Sequence, residues 1–356
     1  MIGALGALAR PWLLRLPPES AHRAAIMALR LAPRRRPEPS DPRLAVDAFG
    51  LRFSHPLGLG AGFDKNAEVP AALLALGFAF VEVGTVTPRP QGGNAKPRLF
   101  RLPADAALIN RLGFNNDGFE AARARLAMRA IPGLVGVNFG ANKDADDRIA
   151  DYVLGVATFA ACASYFTINV SSPNTAGLRD LQRREQLDEL AARVVEAREA
   201  AHPRRPVLIK IAPDLDLRAL DDVVEVAVAR GIEGLIVSNT TIGRPATLLD
   251  PRSSETGGLS GRPLFPSSTR LLARAFLRSD GALKLIGCGG VEDAATALAK
   301  IEAGATLLQL YTGFVYRGPA LIGEILDGLL AAVQAKRAPT IASLIGSRAR
   351  DFAVAS

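Results

Sequence analysis

Tyr165-Phe166-Thr167-Ile168-Asn169-Val170-Ser171-Ser172-Pro173-Asn174-Thr175 is an apolar run that ends in amides, hydroxyls and a proline. The first part reads as a β-strand and the second as a polar loop at the strand's carboxyl end. In a parallel α/β protein that end faces the active site. Taken alone, the loop is also an ordinary turn, because Ser, Pro and Asn all favour turns. The recurrence of the same punctuation elsewhere in the chain decides between the two.

Working outward, short apolar runs of the same kind fall at Pro56–Gly62, Phe78–Thr87, Leu134–Gly140, Val207–Ala212, Gly234–Ser238, Leu283–Gly287 and Thr306–Tyr311. Each is continuously apolar, as expected of strands covered on both faces. Helical patterns lie between most of them, for example Asp151–Ser164, Gln186–Ala201, Leu217–Arg230 and Val291–Ala303. Eight strands alternating with helices predict an α/β fold of the (β/α)8 TIM-barrel type. A doubly wound open sheet is the alternative. The strand count and the lack of a Gly-x-Gly-x-x-Gly turn after the first strand weigh against it. Two connections are long: Pro88–Gly113, proline-containing and not helical, and Thr241–Pro266, rich in Gly and Ser. Connections of that length in compact domains are often lids or binding loops.

Ahead of the barrel lies an extension. Ile2, Leu5, Leu8, Trp12, Leu13 and Leu16 share one side of a first helical pattern; Pro17-Pro18 breaks it; a second runs from Ser20 to Leu31. The Pro- and Arg-rich stretch Pro33–Pro42 reads as a linker. The division expected is residues 1–40 as a small helical segment, 41–340 as the barrel and 341–356 as a tail. A helical hairpin that caps a core and one that faces a membrane fit the extension equally.

The chain has 356 residues, 49% of them hydrophobic, and a formal net charge of +8. Many arginines crowd the first few dozen positions, including Arg34-Arg35-Arg36, with few aromatics among them. That pattern suits an anionic membrane surface better than nucleic acid. No run reads as a transmembrane helix, since the longest uncharged stretch, Tyr152–Leu178, is interrupted by Thr, Ser, Asn and Pro. No basic residue precedes the apolar start, so a secretory signal is not expected. Cys162 and Cys288 sit among apolar neighbours and read as buried thiols of a reducing compartment. His22, His55 and His202 are too scattered for a histidine metal site.

The strand exits carry the chemistry. In order they present Asp64-Lys65-Asn66, Thr85, Asn138, Asn169 to Asn174, Lys210, Ser238-Asn239-Thr240, Gly287-Cys288-Gly289-Gly290 and Tyr311-Thr312-Gly313. No acidic pair, metal cluster or Ser-His-Asp order appears among them. Amides, hydroxyls and two lysines suit a flat, polar, anionic heterocycle. The glycine turns after strands seven and eight offer amide donors to a phosphate, the usual grip in such barrels. Lys210 interrupts an apolar strand, and an ammonium there needs either an acid or an anionic ligand. Lys65 could neutralise a substrate carboxylate. For both lysines a solvated barrel rim is the plainer alternative.

With these residues assembled, the chain closely resembles the dihydroorotate dehydrogenase family in its quinone-linked, membrane-associated class 2. The resemblance spans nearly the whole chain. It is carried by Ala61-Gly62-Phe63-Asp64-Lys65, Gly84-Thr85-Val86-Thr87-Pro88-Arg89-Pro90, Lys96-Pro97-Arg98-Leu99-Phe100-Arg101 and Asn110-Arg111-Leu112-Gly113-Phe114-Asn115-Asn116, together with Asn169 to Asn174, Lys210-Ile211-Ala212-Pro213-Asp214, Gly257-Gly258-Leu259-Ser260-Gly261 and Tyr311-Thr312-Gly313.

The resemblance implies FMN held by Ala61, Gly62, Phe63, Asp64, Lys65, Thr85, Asn138, Asn169, Lys210, Ser238, Gly261, Gly290, Tyr311 and Thr312. It implies substrate contacts at Lys65, Asn110, Arg111, Leu112, Gly113, Phe114, Asn169, Asn174, Asn239 and Thr240, and a catalytic base at Ser172, where the soluble classes carry cysteine. Ser238 stands where many relatives have threonine, and Phe63 where many have leucine. The implied reaction oxidises dihydroorotate to orotate in pyrimidine synthesis. Ser172 removes a proton from one ring carbon while hydride passes from its neighbour to the flavin. Lys210 would stabilise negative charge on the reduced ring. A membrane quinone would reoxidise the flavin through a tunnel between the extension and the barrel, with His22 and Arg101 as polar lining. For His22, a plain helix-surface position is the alternative. No metal and no nucleic acid are expected, and the expectation is a monomer, peripheral on the cytoplasmic face of the cell membrane. Two other readings remain: a soluble flavin barrel that reduces fumarate or a partner protein, and a basic surface-binding module without catalysis.

Overall fold

A computed structural model describes residues 15–32, 39–128 and 133–354. The first helical pattern up to position 14, and Arg34-Arg35-Arg36 with most of the linker, lie outside the described residues.

Thirteen strands are described: β1 (Val46–Ala48), β2 (Leu51–Phe53), β3 (Leu57–Leu59), β4 (Phe80–Val86), β5 (Leu99–Leu102), β6 (Ala107–Asn110), β7 (Leu134–Phe139), β8 (Tyr165–Asn169), β9 (Val207–Ile211), β10 (Gly234–Val237), β11 (Gly258–Gly261), β12 (Lys284–Cys288) and β13 (Leu307–Leu310). Eight of them close a barrel in chain order, β3-β4-β7-β8-β9-β10-β12-β13 and back to β3. Its pairs are all parallel. The predicted (β/α)8 barrel is what the chain forms, and each predicted strand run falls on one barrel strand, with β12 ending one residue beyond its predicted run.

Helices cover the outside, and local chemistry fixes where they begin. Asp147 accepts from the amides of Ile149 and Ala150 and starts helix Arg148–Phe159. Asp216 does the same for Leu217–Ala229, and Asp293 for Ala294–Glu302. The sequence pattern placed these helices within a few residues of their observed bounds.

Side chains alternate in and out along a strand, so every second residue faces the barrel interior. The interior therefore fills in layers. At the bottom are Phe80 and Tyr165. Room for their rings comes from Gly58 and Gly136, where a Cβ would fall 2.4 Å and 2.1 Å from those rings. Phe53 of the β1-β2 hairpin meets Phe80 edge to face at 5.3 Å and stops that end. Two residues further along each strand, Glu82, Asn138, Thr167 and Gln309 form a polar layer, all at most 1% exposed. A further step brings Asn169 to the mouth; Lys210 pairs with it in register on β9.

The two long connections, expected as loops, form structure together. β5 and β6 from the first pair with β11 from the second in an antiparallel sheet, order β11-β6-β5. Leu102, Ala107, Ile109 and Leu259 make its own small core. The tail beyond Lys336 also packs down. Ile341 and Leu344 are buried, helix Ala349–Val354 lies on helix Phe265–Ser279, and Arg274 donates to the Ala353 carbonyl at 2.9 Å.

Candidate active site

A chamber opens at the carboxyl ends of the barrel strands, roofed by the β11-β6-β5 sheet. It collects Ala61, Gly62, Lys65, Thr85, Asn169, Lys210, Ser238, Gly261, Gly290, Tyr311 and Thr312 from one predicted set. Asn110, Leu112, Gly113, Phe114, Asn174, Asn239 and Thr240 come from the other, and Ser172 stands among them.

The loop after β8 is held from several sides. Tyr152 donates its hydroxyl to the Asn169 carbonyl at 2.9 Å. Arg179 donates to the carbonyls of Ser171 and Thr240, each at 3.0 Å, and pairs with Asp214 at 2.7 Å. Asn94 donates to the carbonyls of Asn174 and Arg111 at 3.1 Å and 3.0 Å, tying this loop to the first long connection. Asn174 in turn donates to Asn110 Oδ1 at 3.1 Å. Ser172 is 6% exposed, and its Oγ accepts from the Asn174 amide at 3.3 Å. Such a net presents four asparagines, Asn110, Asn169, Asn174 and Asn239, with fixed directions.

Two cations bracket the chamber. Lys65, half-buried, donates to the Gly62 carbonyl at 2.8 Å, and burial pushes its pKa down to about 8. Lys210 is 6% exposed, and no carboxylate pairs with it among the described residues. The acid that a merely structural lysine requires is therefore missing there. At the far side Gly290 has φ +77°, and a Cβ on it would lie 2.4 Å from Phe265 Cβ. Only glycine fits the backbone this tightly against the start of helix Phe265–Ser279. Gly289 and Gly313 line the same corner, and Ser260 of β11 hydrogen-bonds Thr312 at 2.8 Å. Gln309 donates to Glu82 from the chamber's floor at 2.8 Å, and its Oε1 is a buried acceptor without a partner among the described residues.

Four predicted residues sit elsewhere. Asn138 lies one layer below the chamber. Asp64 turns its carboxylate to the amides of Glu68 and Val69, at 2.7 Å and 2.8 Å. Phe63 packs edge to face on His22 at 5.3 Å and on Phe314 at 5.5 Å. Arg111 pairs with Glu255 at 2.7 Å and stacks over Phe100 at 4.5 Å. Glu82 and Gln309 escaped the sequence reading, although each interrupts an apolar strand as Lys210 does. Leu99, Leu108 and Ser260 escaped it because their strands went unread.

A second cavity lies between helix Pro18–Leu31 and the barrel. Glu19, His22, Arg23, Ile26, Phe63, Asp64, Glu68 and Arg98 line it. It shares Lys65, Leu99, Leu112 and Tyr311 with the chamber. Glu19 pairs with Arg98 at 2.6 Å and Lys96 at 3.2 Å, and Arg23 with Glu68 at 2.9 Å, so ion pairs dock the helix. Burial, and then the Lys65 charge, push the His22 pKa down to about 3. Arg101, the other residue expected here, donates to the Leu16 carbonyl at 2.7 Å. No described helix is long and apolar enough to cross a membrane, and no group of metal-ligating side chains is found among the described residues.

Comparison with known proteins is consistent across sequence and structure. The family model described as dihydroorotate dehydrogenase matches residues 43–333. The chain is 56% identical over 354 residues to a dihydroorotate dehydrogenase (quinone) of Rhodopseudomonas palustris, covering 98% of this chain and 97% of that one. A protein of the same name from Bradyrhizobium diazoefficiens is also 56% identical, with the same coverage. The crystal structure of DHODH in complex with ferulenol from Eimeria tenella superposes with a TM-score of 0.91 at 38% identity, covering 96% of this chain and 99% of that one. The ligand-free form from Eimeria tenella gives 0.89 at 39% identity, covering 93% and 99%.

Proposed function

The chain belongs to the dihydroorotate dehydrogenase family, in its quinone-dependent class 2, and on that premise we propose how its two cavities divide the reaction. The enzyme oxidises dihydroorotate to orotate with a quinone as acceptor, in pyrimidine biosynthesis. The strand-end chamber takes the cofactor and dihydroorotate. The groove beneath helix Pro18–Leu31 admits the quinone. The observation that carries this division is the wall the cavities share, Lys65, Leu99, Leu112 and Tyr311.

The family is flavin-dependent, and the chamber's residues fit FMN in particular. Gly289, Gly290 and Gly313 line one corner of the chamber, where backbone amides suit a phosphate. The partnerless Gln309 Oε1 suits an N–H of a flat heterocycle, and Lys210 brings a charge without a carboxylate. FMN, when bound, supplies a hydride acceptor and a route for electrons to the quinone. The rest falls to the chain. Asn110, Asn169, Asn174, Asn239 and Thr240 hold the substrate ring, and Lys65 meets its carboxylate. Ser172 takes the proton from the ring carbon as general base. Its hydroxyl is weakly basic, so position contributes most of its effect. Lys210 offsets negative charge that develops in the chamber.

The enzyme is membrane-associated. Segment 1–40 is read as its contact with anionic lipid on the cytoplasmic face and as the quinone's entry. Residues 41–340 are read as the catalytic barrel, residues 341–356 as a tail, and the protein as a monomer. His22 and Arg101 remain the proposed polar groups along the quinone's path, and Arg98 joins them from its place in the groove. The test is the visible spectrum of the purified protein under anaerobic conditions. Flavin absorbance that bleaches on adding dihydroorotate and returns with a quinone is expected. A colourless protein, or a spectrum unmoved by dihydroorotate, refutes the reading.

A further inference from the structure

Glu82 takes no part in the chemistry above, yet it lies fully buried on β4 directly beneath the chamber. Four donors converge on its carboxylate. Asn138 Nδ2 reaches one oxygen at 2.8 Å; the Tyr165 hydroxyl, the Thr167 hydroxyl and Gln309 Nε2 reach the other at 3.2, 3.0 and 2.8 Å. An ionised carboxylate accepts only, and each of these four partners has a proton to donate to it. No cation pairs with it among the described residues.

An acceptor-only group dictates the orientation of whatever bonds to it. Asn138 has to turn its Nδ2 towards Glu82, which leaves Oδ1 facing Thr85. Thr85 gives that oxygen its hydroxyl proton at 2.6 Å. The Thr85 oxygen then accepts from Asn169 Nδ2 at 2.9 Å. Asn169 is left with Oδ1 at the far end, where it accepts from the Ser171 hydroxyl at 3.1 Å and Asn239 Nδ2 at 3.2 Å. Asn239 keeps its own Oδ1 for the Thr240 amide at 2.8 Å. Every link donates towards Glu82, and the chain surfaces in the chamber at Asn169 and Asn239.

We propose that Glu82 is a positioning residue whose buried charge sets the direction of this chain, and so decides which end of the Asn169 and Asn239 amides the substrate meets. The proposal rests on reading the chamber as the dihydroorotate site. Glutamine is nearly isosteric with glutamate but places an NH2 group where donors already point. The least costly relief is a flip of Asn138, which takes away the acceptor of the Thr85 hydroxyl proton; that proton regains one when Asn169 turns its Oδ1 towards it.

The experiment measures orotate binding by calorimetry on FMN-loaded protein, alongside FMN content and melting temperature. Glu82→Gln is expected to bind orotate about tenfold to a hundredfold more weakly, the cost of a misdirected buried polar group, while retaining FMN. The double variant Glu82→Gln/Asn138→Asp moves the carboxylate one link along the same chain. The carboxylate introduced at position 138 accepts from both the new side-chain amide at position 82 and the Thr85 hydroxyl, so Asn169 keeps its orientation and orotate affinity recovers. A merely structural Glu82 gives no such rescue. Unchanged orotate affinity in the single variant overturns the proposal, as does a double variant no better than the single. If the single variant fails to fold, the double is read against wild type, and an affinity about tenfold lower or worse overturns the proposal. Failure of the wild-type chain to bind orotate refutes the functional reading, and this proposal with it.

Discussion

The strand-end chamber is lined by amides, hydroxyls and glycines, whereas the groove beneath helix Pro18–Leu31 is lined by ion pairs and rings. The first is built from the ends of barrel strands whose positions are fixed by parallel pairing on both sides. The second is built by docking one helix through Glu19–Arg98 and Arg23–Glu68. A rigid frame holds directional hydrogen bonds, which orient a polar ring before its chemistry. A docked helix would suit the entry proposed for an apolar carrier, because it leaves that frame undisturbed. The two share Lys65, Leu99, Leu112 and Tyr311 as a wall. Under the proposed division, each half of the reaction should fail separately when its own cavity is damaged.

The sharpest way to break that claim is Ser172→Ala. Anaerobic flavin reduction by dihydroorotate should slow by about two to four orders of magnitude, the usual worth of a positioned general base. FMN content and reoxidation by quinone should stay as in wild type, because Ser172 touches the chamber alone. Stopped-flow absorbance separates the two half-reactions. Near-normal reduction would remove Ser172 from its role, and slowed reoxidation would dissolve the division.

The mirror experiment deletes residues 1–39. Reduction by dihydroorotate should persist, since the deletion removes no residue of the chamber. Reoxidation by a long-chain quinone should fall about tenfold or more, reflecting lost positioning of the acceptor, and binding to anionic vesicles should disappear. Full turnover with long-chain quinone would reduce the extension to a structural cap.

Lys65 belongs to both cavities, and its effect should be graded with pH. Burial lowers its pKa to about 8. The ammonium proposed to meet a substrate carboxylate is thus lost as pH rises through about 8, and orotate affinity should fall there. Lys65→Gln should weaken orotate binding about tenfold at neutral pH and abolish the slope. The effect on folding has the opposite sign. Between pH 8 and 10.5 the unfolded chain holds the extra proton, so Lys65 makes the fold more stable as pH rises across that window. A pH-independent wild-type orotate affinity would place the carboxylate elsewhere.

The same contrast explains what the sequence revealed. The barrel and its chamber were legible because their signals are local. Each strand is an apolar run, and its polar exit follows at once, as in Ile168-Asn169-Val170-Ser171-Ser172. Glu82 and Gln309 also stand out locally, as a charge and an amide inside apolar strands, but what they bond to lies on other strands and leaves no mark beside them. What sequence reasoning could not reach was pairing at long range. β6 and β11 are about 150 residues apart, and each is a four-residue run with a polar residue, Asn110 or Ser260, at or near its end. Neither shows a period of its own, so the roof read as two loops. Arg111 and Asp64 carried the right motif, but the charge partner Glu255 and the helix-start amides of Glu68 and Val69 turned them aside.

The smallest effect tests the groove on its own terms. His22 lies against Phe63 on the docked helix, and burial with the Lys65 charge holds its pKa near about 3. It is therefore neutral across the physiological range, and its own titration should leave no step in quinone reoxidation between about pH 5 and 8. In the unfolded chain it takes up a proton near 6.5, so its neutral burial costs stability progressively as pH falls from 6.5 towards 3. His22→Phe keeps the ring against Phe63 and removes the titration. It should raise the melting temperature by about 4 °C more at pH 4 than at pH 7. His55, lowered to about 4 by burial beneath the barrel and bonded to the Gly77 carbonyl at 3.0 Å, makes its own acid-sensitive contribution in both proteins. The difference between variant and wild type therefore isolates the groove. Equal shifts at the two pH values would show that His22 titrates near its ordinary value, and the groove would then be wetter than the burial of its walls implies.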